Sequence, residues 1–384
     1  MTIAVLEYVR DPAFSRGDNL LRMYNQFIST IEEKLDPLQL VLICTQISTQ
    51  LYPTRPFQPN ELDSALLFLD ENLGGSKRSK IGTTGCIVLD LERTALNIRK
   101  ASVGAGAAVS DNSSSAAASV SLKTPAEALL DVCKSDLAKA KSSIDNLPPG
   151  SEPVISGTYY RVMCEFYKLR GPAHLFYASA LLYLGNTPIE SLAISMRQAL
   201  ALDVAVAALV GEGLFNFGEV NSQPVITALI GTQHSWIVDL LKTFQSGDVT
   251  AFMNIMTSHK DSFSSHSALV AASSAIHEKI TLSALVEMSS RRPSADRSIS
   301  FSDIAKETKV DLNDVERLII RAKSLGLINA SIDEVDKIVN ITYVKPRVLD
   351  KDQIYQLKQR IDNWREKTIS TLNFVENATL ELLA

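Results

Sequence analysis

The sequence is poor in the residues that enzymes, secreted domains and membrane proteins lean on. Four cysteines in 384 residues, Cys44, Cys86, Cys133 and Cys164, lie tens of positions apart. That spacing builds neither a compact disulfide framework nor a zinc-chelating pair, so they read as buried thiols. The five histidines form no metal or triad constellation. His259 and His266 fall seven apart with no Cys or carboxylate cluster at ligand spacing, which points to surface or capping roles. No apolar run approaches the ~20 residues of a membrane span; the longest, Ala199 to Val210, is broken by Asp203. The opening MTIAVLEYVRDP has no basic segment before its short apolar stretch, so a secretory signal is not expected and the chain is placed in the cytoplasm and nucleus. Positive charge is not in excess either: 38 Lys and Arg against 43 Asp and Glu give a net charge of −5, which attracts neither nucleic acid nor anionic lipid over the whole molecule.

Catalytic grammar is missing as well. The stretch "GEGLFNFGEV", Gly211 to Val220, carries three glycines but lacks GxGxxG spacing, a Walker lysine and a preceding strand. Its glycines are read as a tight inter-helix turn, with Leu214, Phe215 and Phe217 filling the core. Without a nucleophile, base and orienting group in evident reach, no enzyme activity and no cofactor or metal site is expected.

What the sequence does have is helix. From Asn19 to Ala268, amphipathic segments alternate with Pro or Gly breaks, the grammar of helical hairpins. In "NLLRMYNQFISTIEEKL" the apolar positions are Leu20, Tyr24, Phe27, Ile28 and Ile31, and Asp36-Pro37 begins the next helix. In "NELDSALLFLDENLGG", Asn60 is the expected N-cap and Gly74-Gly75 the stop. The hairpin "GTYYRVMCEFYKLRGPAHLFYASALLYLGNTP" turns at Gly171-Pro172 and sets Tyr160, Cys164 and Tyr167 against Phe176, Ala180 and Tyr183. Large residues facing small ones suit a right-handed, tetratricopeptide-like solenoid without a strict repeat. One interval, 101–124, is dominated by Ala, Ser and Gly and is expected to be a flexible insertion.

From Ile276 the pattern changes to helix, short strand "SISF", helix "SDIAKETK" capped by Ser302, helix "LNDVERLIIRAKSLG" capped by Asp311, and strands "LINASI" and "KIVNITYV" around the acidic turn "DEVD". That order is a winged helix. Its second helix balances Asp311, Asp314 and Glu316 against Arg317, Arg321 and Lys323, and the wing is acidic. A DNA-reading helix needs a basic or amide-bearing first turn, so nucleic-acid binding is disfavoured, with Arg291, Arg292, Arg297, Lys345 and Arg347 its best support. The other use of a winged helix is its sheet edge, which another chain can extend. The alternation in "KIVNITYV" nominates Ile338, Asn340, Ile341, Thr342 and Tyr343 as that edge. Beyond Pro346, residues 350–384 contain no Gly or Pro. Ile354, Leu357, Ile361 and Trp364, then Ile369, Leu372, Val375 and Leu382, form an apolar stripe along a helix about 50 Å long. No later element of the chain covers it.

Helical hairpins, a winged helix and a long terminal helix together resemble the PCI module of large assemblies. "GEGLFNFGEV", "SIDEVDKIVNITYVKPRVLD" and "DPAFSRGDNLLRMYNQFI" are similar to the PCI-domain non-ATPase subunits of the proteasome regulatory-particle lid. The resemblance implies an all-α dominated fold: N-terminal helical repeats (1–100), the insertion (101–124), a helical-hairpin solenoid (125–268), the winged helix (269–348) and a C-terminal assembly helix (349–384). It implies a non-catalytic scaffold in ubiquitin-dependent protein degradation, with other PCI-domain lid subunits as partners, MPN-domain lid subunits reached through a C-terminal helix bundle, and a ubiquitin-receptor subunit as a further candidate. The alternatives are a PCI subunit of the COP9 signalosome or of translation initiation factor three, or a nucleic-acid-binding winged-helix adaptor.

Overall fold

The computed structural model describes residues 19–32, 35–52, 58–110, 125–148, 153–292, 297–346, 348 and 351–383. The chain divides into two compact units, Met1–Ala193 and Ile194–Ala384.

The first unit is helical. Helix α1 (Asn19–Met23) runs through a π-helical turn, Tyr24–Ile28, into Ser29–Ile31. The wider turn shifts the apolar phase, so Leu20, Tyr24 and Ile28 are buried while Phe27, expected on the same stripe, is half exposed. Helix α2 (Pro37–Ser48) follows with Asp36 at its N-cap position. Helix α3 (Pro59–Leu73) begins one residue before the expected cap, with Gln58 at the N-cap position, because proline is pre-set for the first helical position. These helices bury Val41, Ile43, Ile47, Leu62 and Leu69 around one core.

Helix α4 (Gly82–Ser110) extends well into the interval expected to be flexible. The alanines there are strong helix formers and prolong a helix already anchored by Leu91, Ala95, Ile98 and Ala101. The remainder of that interval, 111–124, lies outside the described residues. Helix α5 (Pro125–Asp145) and the hairpin α6 (Pro153–Arg170) and α7 (Ala173–Asn186) complete the unit. Tyr159, Val162 and Phe166 of α6 face α4 and α5. Cys164, Phe176, Ala180 and Tyr183 are buried, as the hairpin reading requires, while Tyr160 and Tyr167 are half-buried.

Between α4 and α6 lies a charged network that no periodicity announces. Arg99 grips Glu165 with two bonds, Nε to Oε2 at 2.9 Å and Nη2 to Oε1 at 2.7 Å, and donates from Nη1 to the Tyr52 hydroxyl at 2.9 Å. Arg161 bonds Glu92 and reaches the same Glu165 oxygen at 3.2 Å. Burial works against the Arg161 charge, but Glu92 and Glu165 outweigh it and its pKa is raised. Two cations and two carboxylates thus neutralise one another across a helix interface.

The second unit opens with α8 (Ile194–Val210) and α9 (Phe217–Ser222), then α10 (Ser235–Ser246) and α11 (Val249–Ser258). Gly247 ends α10 at φ 69°, and Asp248 caps α11 by accepting from the Thr250 and Ala251 amides. Short helices α12 (Lys260–Ser264) and α13 (Ser267–Ala271) lead to α14 (Ser273–Arg291). His234, His259 and His266 occupy helix-end positions around buried Trp236, with His259 stacked on the indole at 6.1 Å. A Cβ at position 247 would lie 2.9 Å from Ala284 Cα of α14 and in a left-handed backbone region. Gly247→Ala is therefore expected to lower unfolding free energy by about 2 to 3 kcal/mol, through strain and forced separation of α10 from α14. A urea titration measures it, and an unchanged midpoint would refute the close-approach argument.

The winged helix then follows: β1 (Ser298–Ser300), α15 (Phe301–Thr308), α16 (Val315–Ser324), β2 (Ile328–Asp333) and β3 (Ile338–Val344). Ser300, not Ser302, caps α15, accepting from the Asp303 amide at 3.2 Å. Asp311 holds the backbone N-cap position of the short turn before α16. Ile299, Ile304, Val315, Ile319, Val339 and Ile341 fill its core. Helix α17 (Lys351–Leu383) follows the sheet. None of the helices described is long and apolar enough to cross a membrane.

Candidate assembly surface

The sheet order is β1-β3-β2, so β3 is the central strand and not the edge. Ile338, Val339 and Asn340 pair with β1 and also with β2. Ile341 is buried in the core and donates its amide to the Arg297 carbonyl at 3.1 Å. This corrects the expectation of an open edge at Ile338, Asn340 and Ile341; the pairing with β1 does not reach Thr342 and Tyr343, and Tyr343 is paired with β2. Alternation along a strand shows two faces but not whether a third strand returns to cover its far side. Of the five, Asn340, Thr342 and Tyr343 are exposed and Ile338 is half-buried. A proline at Ile341 would break the sheet itself and would say nothing about a partner.

The true edges are short and guarded. On β1, the Ser298 carbonyl accepts from Arg292 at 3.3 Å. On β2, just past the irregularity at Asn329/Ala330, the Ala330 carbonyl accepts from Lys323 Nζ at 3.0 Å. A basic side chain on each edge is a recognised way of discouraging strand addition.

Each basic residue of α16 has an acidic or carbonyl neighbour, although Arg317 is largely exposed. Arg321 Nε bonds Glu278 at 2.7 Å, Arg317 lies 3.9 Å from Asp314, and Lys323 holds the sheet edge. Arg291 pairs with Glu287 and Arg292 with Asp303. The acidic wing tip adds no phosphate-binding charge. The formal charges of α16 and the turn before it thus balance, while Lys345, nominated for nucleic acid, is exposed. Arg347, one of the residues nominated for nucleic acid, lies outside the described residues.

Helix α17 is the large exposed apolar feature. It is 33 residues long, and no other helix or strand packs along its length among the described residues. Ile354, Leu357, Ile361, Trp364, Ile369, Leu372 and Val375 are each between 45% and 72% exposed. Tyr355 and Phe374, which the apolar spacing did not nominate, are exposed as well. Leu382 falls in the last turn of the helix, and its side chain is outside the described residues. Arg360 ties the helix back to the unit, its Nη2 donating to the Arg291 carbonyl at 2.9 Å.

The root of α17 sits on the glycine-rich turn. The Val348 amide donates to Asn216 Oδ1 at 3.3 Å, and a Cβ on Gly218 would approach the Val348 carbonyl to 2.8 Å. Gly213 takes a left-handed φ of 74°. The turn also carries a residue that sequence reasoning missed. Lys279 of α14 is buried, and its Nζ donates to the carbonyls of Ala208 at 3.1 Å, Leu209 at 2.8 Å and Gly211 at 2.5 Å. The rings of Phe215 and Phe217 stand 6.0 and 5.9 Å from the same ammonium. A cation at a helix C-terminus satisfies otherwise orphaned carbonyls and complements the helix dipole. Burial pushes its pKa down to about 8. The signal was available: Lys279 stands on the buried stripe of Ile276, Ile280 and Ser283.

No group of three or more His, Cys, Asp or Glu able to hold a metal occurs among the described residues. The family model for PSD13 N-terminal repeats matches residues 1–241, and the PCI domain model matches residues 256–342. The chain belongs to the family of 26S proteasome non-ATPase regulatory subunit 13. The protein of that name from Dictyostelium discoideum is 32% identical over 97% of this chain and 87% of its own length. Homolog B from Arabidopsis thaliana is 30% identical over the whole of this chain and 91% of its own. A weaker likeness, 25% identity over 46% of this chain and 43% of the relative, reaches eukaryotic translation initiation factor 3 subunit M of Dictyostelium discoideum. Family membership and the winged-helix architecture agree with the resemblance carried by the glycine-rich and wing segments.

Proposed function

We propose that this chain is a non-catalytic scaffold subunit of the 26S proteasome lid, working in the cytoplasm and nucleus, that joins the particle chiefly through α17. The observation that carries this reading is the helix itself: seven nominated apolar side chains are half exposed or nearly so on an element along which no other described helix or strand packs. Burying each such side chain fully is worth roughly 1.5 to 3 kcal/mol, which favours a helical partner over water. The partners we assign are other PCI-domain lid subunits beside the winged helix, and MPN-domain lid subunits meeting α17 in a helix bundle. A ubiquitin-receptor subunit is a further partner to look for. The guarded sheet edges shift weight from strand addition to exposed side chains such as Asn340, Thr342 and Tyr343.

The test is affinity purification of the full chain followed by mass spectrometry. Lid subunits in near-equal amounts are expected. Signalosome subunits, or ribosomes with initiation factors, would replace this reading. Retention of duplex DNA beyond that of a neutral-competitor control in a gel shift would revive the nucleic-acid adaptor, whereas the paired charges of α16 predict none.

A further inference from the structure

The wing tip carries a tetrapeptide that the assembly role leaves unused. Residues Asp333, Glu334, Val335 and Asp336 read Asp-Glu-Val-Asp and link β2 to β3. All four are exposed, as is Lys337, and Val335 is 92% exposed, an unusual place for a β-branched apolar side chain. We propose that the peptide bond between Asp336 and Lys337 is a cleavage site for an aspartate-specific cysteine endopeptidase of the executioner caspase type. Such an enzyme needs an aspartate on the acyl side of the broken bond and favours a second aspartate three residues before it, with glutamate and a small branched residue between. Order, spacing and exposure all meet that requirement, which acidity alone would not.

Up to Asp336 the tip is closed by solvent-facing bonds, and just past the scissile bond the Lys337 carbonyl accepts from the Phe301 amide at 2.9 Å. Asp333 Oδ1 accepts from the amides of Val335 at 3.1 Å and Asp336 at 3.3 Å, and Lys337 Nζ lies 3.3 Å from Glu334. Exposed loop tips of this kind open locally without global unfolding and are preferred sites of nicking. In the reaction the enzyme's thiolate forms a thioester with the Asp336 carbonyl carbon as the Lys337 nitrogen leaves with a proton. Water then hydrolyses the thioester, yielding a new Asp336 carboxylate and the free thiol. Beyond the scissile bond lie β3 and α17. Cleavage therefore severs the covalent link to α17 and leaves it held non-covalently, by the pairing of β3 with β1 and β2 and by the Val348–Asn216 and Arg360–Arg291 bonds. That last consequence rests on the reading of α17 as the assembly helix; the cleavage itself does not.

The experiment incubates the purified full chain with recombinant executioner caspase and reads intact mass and the new N-terminus. The expected products are residues 1–336 and 337–384. Asp336→Asn should abolish the cut, and Asp333→Asn should slow it at least tenfold. Asparagine keeps the acceptor oxygen that closes the tip, and circular dichroism verifies that both variants stay folded. The proposal is overturned if the native chain stays intact while a peptide spanning 329–342 is fully cut, if that peptide is itself resistant, if cleavage falls at another residue, or if Asp336→Asn is cut at an undiminished rate. Each outcome is read on the isolated chain, so it stands apart from success or failure of the lid reading.

Discussion

A chain lacking residues 349–384 is expected to fold normally yet lose incorporation into the lid by at least 100-fold. The seven nominated side chains from Ile354 to Val375 are each close to half exposed or more. Covering what remains of each contributes on the order of 1 kcal/mol. Even after the cost of immobilising a partner, several such contributions exceed the roughly 2.7 kcal/mol that a 100-fold change represents. Within the chain little is lost, because no described element packs along α17 and its tie to the unit is the bond from Arg360 to the Arg291 carbonyl. The truncated protein should therefore keep its melting temperature to within a few degrees and lose helical signal only for the missing segment. Trp364→Glu, at the most exposed nominated position, should by itself weaken incorporation about tenfold, as a charge placed in the centre of an apolar contact would. Sedimentation of extracts against a lid marker reads both. Truncated protein that still migrates with the lid at the level of the intact chain would remove the connector role.

That helix is legible in the sequence because its information is local. A 3-4-3 spacing of Ile354, Leu357, Ile361 and Trp364 without a Gly or Pro needs no knowledge of the rest of the fold. The winged-helix elements are legible for the same reason, from strand alternation and turn residues. Legibility ends where a position depends on what returns from elsewhere in the chain. Nothing inside "KIVNITYV" tells that Ser298 to Ser300 pair with its far side, so a central strand has the pattern of an edge. Phe27 leaves its expected stripe because a π-helical turn changes the period within one helix. The Arg99, Glu165, Arg161 and Glu92 network joins residues dozens of positions apart, and charge order along a sequence does not encode it. In the Ala-rich interval, low bulk suggests flexibility, but helix propensity acts on alanine whether or not it has anything to bury.

Lys279→Met should destabilise the second unit by about 2 to 3 kcal/mol at neutral pH. The methionine resembles the lysine stem in shape and keeps the apolar contacts with α8 and the Phe215 and Phe217 rings, but the carbonyls of Ala208, Leu209 and Gly211 lose their donor. Leaving buried acceptors unmet costs a desolvation penalty that packing does not restore. The same lysine supplies a second, independent signature. Its pKa in the folded chain, about 8, lies below the ordinary 10.5, so between those values the unfolded chain binds more protons than the folded one. Stability of the intact protein must then rise with pH across that window relative to Lys279→Met, by roughly 1 to 3 kcal/mol in all, because each tenfold difference in proton affinity between the two states corresponds to about 1.4 kcal/mol. Well below pH 8 both states hold the proton and the gap between the two proteins should be flat. Urea midpoints of both proteins from pH 7 to pH 10 measure this gap. A constant gap would mean that the ammonium is not desolvated, and a vanishing gap that the three carbonyls find water in its place. The second result would break the link drawn between the glycine-rich turn and the root of α17, since Lys279 holds the start of that turn while Asn216 and Gly218 meet Val348.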